Sequence, residues 1–230
     1  MATAVGFEGF PKEALRFLSG LSRNNNKAWF DAHRDEYERS LLEPATAFVV
    51  ELGARLRKLD ARIRAEPRIN GSIGRMNRDI RFAKDKSPYK DHLNLWFWQG
   101  SGKRGEGAGY YWALHPDRLV LGAGMHMFEP KLLSKYRDAV ADPKRGGALA
   151  RAVEQARRAG YEIGGVAYKR VPAGYDVAGP RADLLLHNGL HVGADLGVPP
   201  EVHSAKLVDL TFDHYRRMDP IRRWLGELAG

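Results

Sequence analysis

The sequence predicts an α+β protein, a mostly antiparallel sheet with helices packed on it and helical segments at the N-terminal and C-terminal ends. Three observations predict it. Pro11, Pro44, Pro130, Pro143 and Pro220 each precede an apolar pattern of helical period, where a proline's missing N–H does no harm. Aromatic and aliphatic runs bounded by Gly, Pro or Asp fill the middle, at Leu93–Trp98, Tyr110–Leu114 and Leu119–Leu121. No internal repeat or interdomain linker interrupts the 230 residues, so a single domain over 1–230 is expected.

The first sixty residues read as three helices joined by short turns. One follows Pro11. A second follows Asn24-Asn25-Asn26, with Trp29/Phe30, His33, Tyr37 and Leu41 on one stripe, and a third follows Pro44 with Phe48, Val49, Leu52, Leu56 and Leu59 in register. The three central runs make antiparallel strands, with a basic segment before them as a fourth or an edge. Gln99–Gly109, with five glycines, reads as a mobile loop, and His115-Pro116-Asp117 as a turn. Helices follow at 130–141 and 143–159, with Asp142 as an N-cap and Gly160 as the stop. Short strands at Tyr161–Ile163 and Val166–Arg170, a turn at Pro172–Tyr175 and a short helix at Ala182–Leu186 come next. Leu207, Leu210, His214, Met218, Ile221, Leu225 and Leu228 give a last helix. Asp219 is placed to cap its restart, and Pro220 to kink or restart it.

Composition narrows the function. With no cysteine, disulfides, thiolate metal sites and Cys nucleophiles are excluded. The N-terminus lacks the charged start and apolar run of a signal peptide. No stretch reaches the roughly 20 apolar residues of a membrane helix, so the expected location is the cytoplasm, with no membrane partner. Residues 62–90 hold nine Lys/Arg against three Asp/Glu, a net +6 of the chain's +9. Concentrated cations repel one another and call for an anionic partner, here a phosphorylated small molecule or nucleic acid.

That segment has two local readings. As a strand, Arg75–Phe82 turns Met76, Ile80 and Phe82 to the core and Arg75, Asn77, Asp79 and Arg81 outward. As a helix, it pairs Arg75 with Asp79. Gly71, Gly74 and the β-branched isoleucines favour the strand. The functional reading is an anion site. Arg75, Arg78 and Arg81 offer planar forks, Lys84 and Lys86 point charges on a turn, Tyr89 a wall, and Asp79 orients an arginine. Asn25 joins them if the Asn24–Asn26 cap faces Arg78. The opposing reading pairs the arginines with Asp79, Asp85 and helix carboxylates. A further alternative is a metal-assisted enzyme acting on a phosphoester, with Asp79 or Asp85 handling protons or metal. The last is an interaction module docking an acidic protein.

The motif Arg75-x-Asn77-Arg78-Asp79-x-Arg81-Phe82-x-Lys84-Asp85-Lys86-x-Pro88-Tyr89-Lys90 carries a resemblance. So does the helix before it, with Phe17-Leu18, Leu21, Asn24-Asn25 and Trp29-Phe30. Together they resemble the family of domain of unknown function 2461. Later pieces are similar too: Gly109-Tyr110-Tyr111, a Gly122-Ala-Gly124 turn, Lys169–Tyr175 and Ala182–Leu185. The resemblance implies one domain over about residues 7–226 and no established activity. Ala83 stands where the family pattern often has Ser, which argues against a catalytic hydroxyl there.

Other candidates are weaker. His187 and His191 have a helical ligand spacing, but Asn188-Gly189 breaks a helix between them, and no metal site or cofactor is assigned. His126 and Glu129 are an acid/base pair only on paper, beside Met125 and Met127. Gly122-x-Gly124 lacks the rest of any phosphate-loop fingerprint. The oligomeric state is not written in the sequence.

Overall fold

A computed structural model describes residues 6–229, apart from 101, 103 and 104. The helices are α1 (Lys12–Arg23), α2 (Lys27–Ala32), α3 (Arg34–Tyr37), α4 (Glu43–Leu59), α5 (Pro130–Ala141), α6 (Pro143–Arg158), α7 (Pro180–Leu184) and α8 (Leu207–Ala229). The strands are β1 (Ile63–Arg64), β2 (Leu93–Gln99), β3 (Gly109–Leu114), β4 (Leu119–Met125), β5 (Glu162–Val166) and β6 (His187–Asp195). They form an antiparallel sheet in the order β1-β2-β3-β4-β6-β5, so the α+β expectation holds, with helical segments at both ends. The chain divides into two compact units. The first comprises residues up to Phe97 with Tyr111–Leu121 and Asp195–Asp213; the second comprises Trp98–Tyr110, Gly122–Ala194 and the chain from His214.

In the first unit α1 buries Ala14, Phe17, Leu18 and Leu21 on one face. Asn26 caps α2 by accepting a hydrogen bond from Trp29 N (3.0 Å). The expected second and third helices are not separated by a turn. The chain passes from α3 through a π-helical turn, Glu38–Leu42, straight into α4. Pro44 lacks an N–H and its ring crowds the preceding turn, and the wider π turn accommodates it without ending the helix. Phe48 of α4 packs on the fully buried Trp112 of β3 (5.3 Å between ring centroids), and Phe10 stacks on the same ring at 5.5 Å.

Between β1 and β2 the basic segment is neither the strand nor the helix expected over Arg75–Phe82. Ile73 bridges to Leu95, and Asn77 to Tyr89. Around the second bridge Arg78 N donates to Pro88 O and Lys90 N to Met76 O, each at 2.8 Å. Pairing stops there because Pro88 has no N–H to extend a ladder, and residues 79–87 leave it as an irregular loop. Met76 is buried as predicted, at 3% exposure, but Phe82 is 95% exposed at the loop's far end. The core assignment of Phe82 fails with the strand that was to turn it inward.

In the second unit Asp142 caps α6, its carboxylate accepting from Arg145 N at 2.6 Å. The helix ends as predicted at Gly160, whose positive φ of 84° suits glycine. Gly160 N bonds Arg157 O (2.9 Å) and Tyr161 N bonds Ala156 O (3.1 Å), a Schellman stop. The two short strands expected after it are one strand, β5, with a register shift between Gly164 and Val166 against β6. Strand β6 itself is absent from the sequence reading, because Gly189 and Gly193 blur its alternation. Gly122-Ala-Gly124 lies inside β4 and is not a turn. Gly124 has a φ of 129°, and a Cβ there would strike Leu190 O of β6, so glycine lets the neighbouring backbone approach.

Helix α8 runs unbroken through Pro220, and Asp219 caps nothing. It is 3% exposed and its Oδ1 accepts from Tyr110 OH and from Arg222 Nε, both at 2.6 Å. The Gln99–Gly109 loop lies partly outside the described residues, at 101, 103 and 104. Among the described residues no helix is long and apolar enough to cross a membrane.

Candidate functional site

A polar cleft of about 470 Å³ opens in the first unit. Ser22 comes from α1 and Asn25 from the turn after it; Arg78, Asp85, Ser87, Tyr89, Lys90, Asp91 and His92 come from the basic segment as it enters β2. Asn25 is the clasp between the two. Its Nδ2 donates to Tyr89 O and its Oδ1 accepts from Tyr89 N, each at 3.0 Å, as an added residue of a strand would. Tyr89 then lays its ring flat on Phe30 of α2, 4.3 Å between centroids at 12°. At 7% exposure the ring is core and only lines the cleft floor.

Arg78 faces the cleft with its side chain 29% exposed and pairs with Asp85. Asp85 also accepts from Ser87 Oγ (2.6 Å) and Ser87 N (2.9 Å). The Ser87 hydroxyl first, and Arg78 after it, hold the Asp85 carboxyl far below its usual value. Asp79 is likewise held down by the hydrogen bonds of Arg81, to which it is paired at 2.7 Å. Both carboxylates are therefore fixed acceptors and are ill placed to pass a proton near neutrality. Asp79 does orient an arginine, as expected, but Arg81 is 76% exposed and outside the cleft.

Of the predicted site, the fold brings Asn25, Arg78, Asp85 and Tyr89 together. It leaves Arg75, Asp79, Arg81, Lys84 and Lys86 on the exposed loop and its approach, where Lys86 Nζ donates to Ile80 O (3.0 Å). It adds Lys90, whose Nζ donates to Arg75 O (3.1 Å), and Ser22, Ser87, Asp91 and His92. The cations from Arg75 to Lys90 thus divide between a cleft and a loop.

Against the cleft stands a group that the sequence reading missed. Asp91, His92 and His115 place one ligand-type atom each within 4.8 Å of one another. His92 Nδ1 lies 3.0 Å from Asp91 Oδ1, and the His92 and His115 rings stack at 4.4 Å and 25°. The bond to His92 holds the Asp91 carboxyl below its ordinary range. Burial, then the neighbouring His92 and Arg118, push the His115 imidazole down from its usual value. A signal for the pair existed. His92 stands one residue before β2 and His115 one after β3, and in an antiparallel hairpin those positions share an end.

Elsewhere, His187 and His191 lie in β6 and not on a helix. Four residues of strand separate their positions by about 13 Å, too far for one ion. His126 sits beside His191, 5.6 Å between rings, while Glu129 takes the N-cap position of α5. A groove of about 500 Å³ between α6 and α7 is larger than the cleft. It draws its charged side chains mainly from a single helix face, where Arg158 is paired with Glu154 at 2.8 Å. The cleft is the better candidate because donors from separate segments converge on it.

No curated protein and no solved structure matches the chain significantly. A family model does, over residues 13–224, which takes in α1, the cleft, the basic loop and nearly all of α8. The chain belongs to the family described as conserved hypothetical protein (DUF2461).

Proposed function

We propose that the protein binds a phosphate-bearing ligand in the cleft at Arg78, Lys90 and His92. The observation that carries this is the convergence there of three nitrogen donors with the hydroxyls of Ser22 and Ser87. Charge-assisted hydrogen bonds from a guanidinium and an ammonium are the strong contacts to phosphate oxygens. Asp85 already occupies Arg78, yet its side chain is 61% exposed. Water screens a carboxylate this exposed, so a doubly charged phosphate competes with it for the Arg78 guanidinium.

A second reading has its own observation. Phe82 is 95% exposed, Arg81 lies over its ring at 5.8 Å, and Arg75, Lys84 and Lys86 are exposed nearby in the chain. An open aromatic ring among cations suits single-stranded nucleic acid, with a base stacked on Phe82 and phosphates on the side chains around it. An acidic protein partner would use the same loop without needing the ring.

A thermal-shift series with pyrophosphate, sugar phosphates, nucleotides and short single-stranded RNA and DNA tests both. A ligand at about a hundred times its Kd adds roughly 2.7 kcal/mol, a rise on the order of 5–10 °C for this length. Arg78→Ala is expected to abolish the response to small phosphates. Phe82→Ala is expected to weaken only the response to nucleic acid. No shift with any compound would end both readings and leave the loop as a protein-docking surface.

A further inference from the structure

We propose that Asp91, His92 and His115 form a binding site for a divalent transition-metal ion of the zinc class. Two imidazoles and a carboxylate are the donor chemistry that zinc, cobalt and nickel ions accept. Around such an ion, with bonds of about 2.0–2.2 Å, donor atoms lie roughly 3.3 Å apart. His92 Nδ1 and Asp91 Oδ1 are already 3.0 Å apart, and each of the three residues places a ligand-type atom within 4.8 Å of the others. The set therefore closes by rotating partly exposed side chains, with no backbone movement. The ion takes the place of the hydrogen bond between His92 and Asp91, and His92 carries its proton on Nε2.

The backbone holding these donors adjoins paired strands. Asp91 and His92 lead directly into β2. His115 leaves β3 in a turn whose amide donates to Arg118 O at 2.8 Å. Sites at the ends of paired strands keep their geometry better than sites on free loops. Arg78 and Lys90 line the same cleft, and the cation beside His115 itself is the guanidinium of Arg118. It is engaged by Asp117 at 3.2 Å and faces Asp195 at 3.6 Å, so its charge is largely answered locally. Three protein donors leave at least one coordination position open, the arrangement of reactive rather than purely structural sites. Asp91 and His92 also line the cleft, so the ion borders the space assigned above to a phosphate. The metal site does not depend on that assignment.

The test uses the full chain, treated with a chelator and dialysed. Titration with Co²⁺, followed by its visible d–d absorption, and with Zn²⁺ by calorimetry is expected to show one ion per chain. Asp91→Asn and His115→Ala are each expected to weaken binding by more than about a hundredfold, beyond the usual loss from a supporting partner. His126→Ala, remote in the chain and outside the set, is expected to bind as the parent does. Thermal melts of each variant establish folding, and the isosteric Asp91→Asn decides the matter should His115→Ala not fold. Absence of Co²⁺ bands in the parent, or binding unchanged in Asp91→Asn, overturns the proposal.

Discussion

Asp219 and Arg222 are 3% and 0% exposed, and their salt bridge is the most deeply buried of those between described residues. Arg222 Nη1 also donates to Gln99 Oε1 at 2.8 Å, and the guanidinium lies over the Tyr110 ring at 5.4 Å. A buried ion pair adds little over apolar side chains of the same volume, but removing one partner strands the other charge in low dielectric. Asp219→Ala is therefore expected to cost about 3–5 kcal/mol in urea unfolding, and Asp219→Ala with Arg222→Met to recover most of it. A single variant within about 0.5 kcal/mol of the parent would show that Arg222 finds water or another acceptor. At this scale the sequence misleads. An Asp before a Pro has the form of a helix start, and nothing local reveals that Tyr110, 109 positions away, is to bond its carboxylate.

The element that decides the cleft is the basic segment, and its shape depends on a helix turn 64 residues earlier. Asn25→Ala removes both hydrogen bonds to the Tyr89 backbone and leaves a part-buried amide and carbonyl unpaired, at about 1–3 kcal/mol. Hydrogen exchange is expected to quicken at Arg78 and Lys90, whose amides close the loop. Exchange at Leu121 in β4 should be unchanged. If Arg78 and Lys90 keep their protection, the stack of Tyr89 on Phe30 is sufficient to hold the segment. The charge of this element, its proline and its tyrosine are plain in the sequence. Its irregular path is not, because the bridges at Ile73 and Asn77 satisfy backbone groups pairwise and follow no period.

For the whole molecule, acid sensitivity follows from the buried His187 and the half-buried His191 of β6. Burial pushes the imidazoles of His187 and His191 below their usual value of 6.5; the neighbouring His126 and His187 push His191 further the same way. Below that value the unfolded chain binds more protons than the folded one, so stability falls as pH falls. The midpoint of urea unfolding is expected to be lower at pH 5.5 than at pH 7.5 with an unchanged slope. His187→Gln should reduce the difference; a midpoint independent of pH would show that these rings take up protons in the fold as readily as in the unfolded chain. Asp31, Asp79, Asp85 and Asp91, all lowered by their hydrogen-bond donors, extend the loss to lower pH, as they protonate below the ordinary carboxylate range. The sequence by itself determined the α+β class, the apolar stripe of α4, the cap at Asp142 and the stop at Gly160. All of these are set by contacts a few residues apart, which periodicity and cap chemistry report directly. Only the tertiary structure decided which cations share a cleft and that Phe82 faces water. Those outcomes rest on strand pairing and on side chains far apart in the chain, and no local pattern encodes them.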